Sequence, residues 1–510
     1  MMKSLNHSLL SNDLDHLDLT LDGAAKDGKS FRQAQIAVAV VPFVAILLML
    51  AFNPSYRPLY TLFLAALVVG TGLFPLYRWL GDERRSGVPV VEMQGLFYVI
   101  TFGIAGFLEP GQMFGLDWVA EDYRQACLLM VCLSLISMYT GYWIVGRSFG
   151  GKVSQWRWKL EARASGYRLL ALQIYPLLLV VNLASRYLEF DALKQIFLST
   201  QTFVFLWLAC AYLSGKLRDL AKWLFPLYIL PTYLYFASGL DDAALAGSLM
   251  IALNLGIAFV HTRRQIPFAA IFCVAGFFFL LQPVKAEFRT YAWVEQVELT
   301  RLEKAKLFFD LGINYYFSNS AGNAAIELGA TSAYDRLNIL QPTAAIIEDT
   351  PRIQPFQYGE TYLPILTKWI PRFLWAEKPL ENLGNRWAQR YGYLGLFDTW
   401  TAFNLSWLGE MYMNFGLAGV ILISMVLGVV FHTLSKMLWR GSRGPGAYAF
   451  GLLIGVPLMV VETNLSLIVG ALIIACVSAT LFSALVLLVF PKHFFKDVGD
   501  KVFLSGSKLS

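Results

Sequence analysis

The sequence predicts an all-α polytopic membrane protein of about 12 transmembrane helices with one large external loop. Three observations carry that prediction: the composition, the spacing of long apolar runs, and the alternation of basic residues between them. Of 510 residues, 57% are hydrophobic and only 15% charged, with mean hydropathy +0.53. Soluble domains carry about a quarter charged residues, so an ordinary soluble domain is excluded. The net charge of +6 is no sign of nucleic acid, because positive charge in membrane proteins collects in cytoplasmic loops for topological reasons.

Residues 1–33 are polar, with Asp13, Asp15, Asp18 and Asp22 alternating against leucines, and read as a cytoplasmic tail. No cleavable signal is evident in the first apolar run. Twelve runs follow, each long enough to cross the hydrocarbon core: 34–52, 58–80, 90–108, 125–146, 169–187, 195–214, 220–237, 243–261, 266–283, 404–434, 446–463 and 466–490. A scaffold of nine helices thus occupies 34–283, a loop 284–403, three helices 404–490, and a second tail 491–510.

The charges test this count. With the amino terminus inside, the inner segments hold Arg78, Arg84 and Arg85, then Arg147, Lys152, Arg157, Lys159, Arg163 and Arg168. Further along they hold Lys216, Arg218 and Lys222, Arg263 and Arg264, Lys436, Arg440 and Arg443. The short outer segments hold Arg57, Arg124 and Lys194 and are otherwise acidic. Both termini are therefore expected in the cytoplasm, with the long loop outside. The five cysteines all lie in apolar runs and imply packing, not a disulfide framework or a zinc site.

A loop of this length should contain elements of its own. Residues 286–311 place Val294, Val297, Leu302, Phe308 and Phe309 near one helical face with charges opposite, predicting an amphipathic helix on the outer leaflet or packed on the bundle. ATSAYDRLNILQPTAAIIED is helical in pattern, and the segment after it is broken by Pro351 and Pro355.

The loop is rich in cations: Arg289, Arg301, Arg336, Arg352, Lys368, Arg372, Lys378, Arg386 and Arg390. Guanidinium groups suit bidentate binding of phosphate, and a helix mouth suits a lipid-linked phosphate; headgroup anchoring by the same residues is the plainer alternative. Arg372 and Lys378 stand out because Pro371, Trp375 and Pro379 bracket them and restrict the backbone. Trp369, Trp375, Trp387, Trp400, Tyr391 and Tyr393 suit stacking on sugar faces or an interfacial belt. Arg301 and Gly312 form an Arg-x10-Gly spacing that chance alone would produce.

The run IPRFLWAEKP, preceded by YGETYL and followed by TWTAFNLSWLGEMYMNFGLAGVI, resembles bacterial oligosaccharide repeat-unit polymerases, the Wzy-type polymerases of O-antigen and exopolysaccharide assembly. The resemblance covers about 336–430, with Arg336, Thr350-Pro351, Gly359, Pro371, Arg372, Trp375, Lys378-Pro379, Gly409-Glu410 and Asn414-Phe415-Gly416 in the family's order; Ala376 departs where proline is expected. It implies a GT-C-like glycosyltransferase of the bacterial inner membrane with its large loop periplasmic. Such an enzyme transfers a growing glycan from polyprenyl pyrophosphate to an incoming lipid-linked repeat unit.

That chemistry needs positive charge at a pyrophosphate leaving group. Arg372 and Lys378 are expected to supply it, with Arg289, Arg301, Arg336, Arg386 and Arg390 as further phosphate or glycan ligands and Tyr362, Trp375 and Asn414 as glycan contacts. The acceptor hydroxyl needs a base. Glu410 is the first candidate, because a carboxylate beside a membrane helix is costly unless used or paired. Glu360 is second and Asp349 third. A salt bridge from Glu410 to a loop arginine is the structural alternative. No aspartate-any-aspartate motif lies in the loop, so no metal or cofactor is expected. The expected partners are the lipid-linked oligosaccharide, membrane lipids and a chain-length regulator, with no nucleic acid. Rival readings are an O-antigen ligase of the same architecture and a flippase; the absence of an internal repeat and of charge through the bundle argues against the flippase.

Overall fold

A computed structural model describes residues 29–47, 58–82, 87–108, 119–148, 158–185, 191–291, 299–317, 332, 334–368, 370, 375, 377, 382–399, 401, 403, 405–440 and 442–494. Arg372, Lys378, residues 1–28 and residues 495–510 lie outside the described residues.

The chain is built from helices. In order they are α1 (Lys29–Leu47), α2 (Leu59–Gly81), α3 (Val90–Phe107), α4 (Glu121–Ser148), α5 (Ala164–Ser185), α6 (Asp191–Leu213), α7 (219–237), α8 (Leu245–Arg263) and α9 (Phe268–Leu281). The long loop carries α10 (Lys285–Arg289), α11 (Arg301–Phe317), α12 (Leu340–Asp349), α13 (Leu363–Thr367) and α14 (Leu383–Arg390). The bundle closes with α15 (Trp407–Leu434), α16 (Pro445–Gly455) and α17 (Leu465–Val489). Two residues, Trp158–Lys159, pair in parallel with Ser442–Arg443.

Nine of the described helices, α1 to α6, α8, α15 and α17, are long and apolar enough to cross a membrane. The other three of the expected twelve are shorter or broken. Helix α7 opens on Asp219 and Lys222 and is interrupted by a π turn over Phe225–Ile229, with Pro226 and Pro231 removing two backbone donors. Helix α9 has 14 residues, and α16 ends in a 3-10 turn at Pro457–Met459.

Helices α4 and α15 pack closely against each other. Their backbones approach so closely that a Cβ on Gly428 would collide with the Met138 carbonyl, and one on Gly141 with that of Met425. Small residues make such contact possible where lipid offers no hydrophobic drive between helices. Nearby, the Ser134 and Ser424 hydroxyls share a hydrogen bond at 2.8 Å.

The loop does not lie wholly outside the bundle. Helix α12, which the sequence marks as helical, is buried along almost its whole length, from Leu340 through Ile347, against α4 and α15. Its entry is secured where the π turn Val99–Gly103 of α3 releases a carbonyl: Thr101 O accepts from Ile339 N at 3.1 Å. Thr343 then bonds Ser406 at 2.9 Å. Helix α11 packs on α9, with Phe309 against Phe277 and the Tyr316 hydroxyl donating to Phe279 O at 2.8 Å. Of the two placements open in sequence for this amphipathic stretch, the described part takes the one on the bundle.

Candidate functional site

The first turn of α15 organises the site. Ser406 is its N-cap, accepting from Gly409 N at 3.0 Å, as a short hydroxyl does at a helix start. Ten residues later the helix breaks: Gly416 has φ 60° and ψ −151°, a conformation that only glycine adopts readily. The break frees the carbonyls of Met413 and Asn414, which in the bilayer would be costly unless paired. Gln357 N donates to Met413 O and Tyr358 N to Asn414 O, both at 3.1 Å. Asn414 adds its side chain. Its Oδ1 accepts from Gly359 N at 2.8 Å, and its Nδ2 donates to Thr361 Oγ1 and Glu410 O, each at 2.7 Å. The loop run YGET is therefore stitched to the run NFG of the membrane helix, two motifs 55 residues apart.

Glu410 sits under this seam and is fully buried. Its Oε2 accepts from Leu465 N at 2.7 Å, while Oε1 has no hydrogen-bond partner. Leu465 opens α17, so the carboxylate lies at the amino ends of two helices, whose dipoles favour an anion there. The partner of Glu410 is a backbone N–H, and no ion pair to a loop arginine is present among the described residues. Tyr362 is near enough for that carboxylate to raise its phenol pKa, although burial is the larger cause; its hydroxyl is buried and has no hydrogen-bond partner.

On one side of the seam is a groove of about 330 Å³ lined by Gln357, Glu360, Thr361, Trp375, Arg386 and Arg390, together with apolar groups of α13 and α14. Four candidates named from sequence, Glu360, Trp375, Arg386 and Arg390, thus share one space. Glu360 and Arg390 stand 3.8 Å apart, both substantially exposed. The groove is backed by α14, whose Trp387 is buried and donates to Phe403 O at 3.3 Å, while Asn385 holds the Asp398 and Thr401 carbonyls at 2.7 Å.

On the other side, Leu465 leads to a second cluster. Glu462, three residues earlier, pairs with Arg336 at 3.1 Å. Lys285 and Arg289, one helical turn apart on α10, join them. The Lys285 pKa is lowered to about 8, by burial first and then by the charges of Arg289 and Arg336, against the pull of Glu462. Arg289 is shifted down too, by burial first and by Arg336 second. Among the described residues, Lys285, Arg289 and Arg336 thus gather around Glu462. Lys368 lies close by along α17, its chain against Gly470.

The remaining sequence candidates lie apart. Arg301 pairs with Asp241 at 3.1 Å and covers the Phe236 ring, anchoring α11 to the turn before α8. Gly312 packs against Leu280 O. Asp349 is buried and paired with Arg352 at 3.5 Å. Sequence reading missed Lys285 and Glu462, though each left a signal: Lys285 and Arg289 share a helix face at spacing four, and Glu462 is a lone acid in the apolar stretch between α16 and α17. Among the described residues, no three metal-ligating side chains converge.

Comparison with curated proteins and with solved structures found no match. One family model does match, over residues 93–456, which takes in most of α3, all of α4 to α16 and every side chain of the groove. The chain belongs to the family described as a domain of unknown function, DUF8712.

Proposed function

We propose that this protein is a membrane glycosyltransferase that polymerises polyprenyl-pyrophosphate-linked oligosaccharide repeat units at the outer face of the bacterial inner membrane. The reading takes the three short or broken helices as additional spans, for twelve in all with both termini cytoplasmic and a GT-C-like plan. The observation that carries it is the excess of positive charge at Lys285, Arg289 and Arg336, joined through Glu462, Leu465 and Glu410 to a groove with its own carboxylate.

In this reading the cluster holds the pyrophosphate, whose departure needs charge neutralised where it develops. The bond from the anomeric carbon to the phosphate oxygen breaks, and polyprenyl pyrophosphate leaves with the electron pair. The acceptor hydroxyl oxygen bonds the same carbon and passes its proton to a carboxylate. Glu360 has the open access that a glycan acceptor requires, and we assign the base to it. Glu410 is sealed, so its role is positioning: it holds the start of α17, and with it Glu462, against the seam. Trp375 offers a ring face to a sugar.

Purified protein in lipid, supplied with polyprenyl-pyrophosphate-linked repeat units, tests this directly. Wild type should yield a ladder of products. Arg336→Gln and Glu360→Gln should abolish it, and Glu410→Gln, which keeps an acceptor for Leu465 N, should retain much of it. Capping of a lipid A core acceptor with no ladder would replace polymerase by ligase. Neither product from folded wild type would refute glycosyl transfer.

A further inference from the structure

A second polar cavity lies at the far end of the bundle. Ser435, at the end of α15, is roughly 35 Å from Glu410 at the helical rise, and with Phe431 it lines a cavity of about 900 Å³ between α2, α3 and α4. That size is near the upper end for ligand pockets, which run to about 1,000 Å³. An adjoining space of about 300 Å³ shares Arg78, Tyr142 and Trp143 with it.

Arg78 stands at the mouth. Its guanidinium lies 6.0 Å from the Phe74 ring centre and 5.9 Å from that of Trp143, and the two rings meet edge to face. Both rings are about half exposed, on helices long and apolar enough to cross a membrane. Arg78 is exposed and makes no ion pair among the described residues. A guanidinium packed on aromatic faces keeps its N–H fork free at the edges, the geometry that grips a phosphate in two places. Inside the cavity the Tyr139 hydroxyl is buried with no hydrogen-bond partner, a donor without an acceptor. Asp82 and Glu92 also line the space; each has an interaction of its own, and the Glu92 carboxylate lies near enough for its charge to reach Tyr139.

We infer that this cavity binds the phosphate headgroup of a membrane lipid, with Arg78 on the phosphate, Tyr139 deeper on a headgroup oxygen, and the lipid chains leaving past Phe74 and Trp143. Entry from the bilayer is favoured over entry from water because the cation is framed by exposed aromatics on apolar helices. Two sources share this chemistry, a glycerophospholipid and a polyprenyl phosphate.

Native mass spectrometry of the delipidated full-length protein in detergent distinguishes them. The probes are phosphatidylglycerol, a polyprenyl monophosphate, and diacylglycerol as the same lipid without phosphate. One equivalent of a phosphorylated lipid should be retained, and the one held more tightly names the source. Arg78→Gln should weaken retention by about 10-fold or more, as loss of a charge-assisted contact does, and Tyr139→Phe should weaken it less. Trp143→Leu is a second route to the same loss, and the melting temperature of each variant reports its folding. Equal retention of diacylglycerol, or unchanged retention in folded Arg78→Gln and Trp143→Leu, would overturn the inference.

Discussion

Replacing Gly416 by alanine tests the seam between loop and membrane helix. At φ 60° and ψ −151° an L-residue pays about 1–3 kcal/mol of backbone strain. The added Cβ would also come within 3.2 Å of the Phe356 ring, tighter than ordinary contact. The variant relieves that strain by letting α15 run on as a regular helix. The carbonyls of Met413 and Asn414 then return to intrahelical donors, and Gln357 and Tyr358 lose their acceptors. The free-energy gap between seam closed and seam open shrinks by the strain, so local opening becomes about 5- to 150-fold more frequent. Hydrogen exchange at the amides of Gln357, Tyr358 and Gly359 measures that opening directly, with amides in the middle of α4 as an internal reference. Acceleration confined to 357–359 is the expected result. Unchanged exchange at these amides in folded Gly416→Ala would show that the break is not held by the glycine, and the account of the site would fail.

Three further outcomes follow from the same geometry. Asn414→Leu keeps volume but strands Gly359 N, Thr361 Oγ1 and Glu410 O; it should cost about 3 kcal/mol, read as a lower melting temperature in detergent, with Asn414→Asp costing less. Gly428→Ala forces α4 and α15 apart and should cost about 1–3 kcal/mol, whereas Ser424→Ala nearby should cost less. Lys285, held at about 8 against an ordinary 10.5, loses its charge as pH rises through about 8. Binding of inorganic pyrophosphate should therefore weaken above that pH in wild type and not in Lys285→Gln, as followed by calorimetry. The same shift makes this group's contribution to stability rise with pH between about 8 and 10.5, where the unfolded chain holds the proton and the folded chain does not.

What the sequence determined by itself is the membrane class, nine helices among the described residues that are long and apolar enough to cross, and the closeness of Glu360, Trp375, Arg386 and Arg390 along the chain. These depend on local properties: an apolar run of 20 residues declares its solvent whatever its neighbours do, and a groove sharing Glu360, Trp375, Arg386 and Arg390 draws on one contiguous stretch. The sequence overstated the regularity of α7, α9 and α16, because hydropathy does not register the length lost to prolines and flanking charges. Three things were decided only by tertiary structure. Helix α12 is buried against α4 and α15, and a π turn in α3 offers Ile339 N a free carbonyl. Glu410 accepts from the start of α17, a neighbour 55 residues away, and not from an arginine among the described residues. Lys285, Arg289, Arg336 and Glu462 come from three separate segments, and their grouping appears only when α10 and the stretches just before α12 and α17 are brought together. Each is a long-range pairing of a polar group that the bilayer leaves without water, and no local pattern encodes which distant partner will satisfy it.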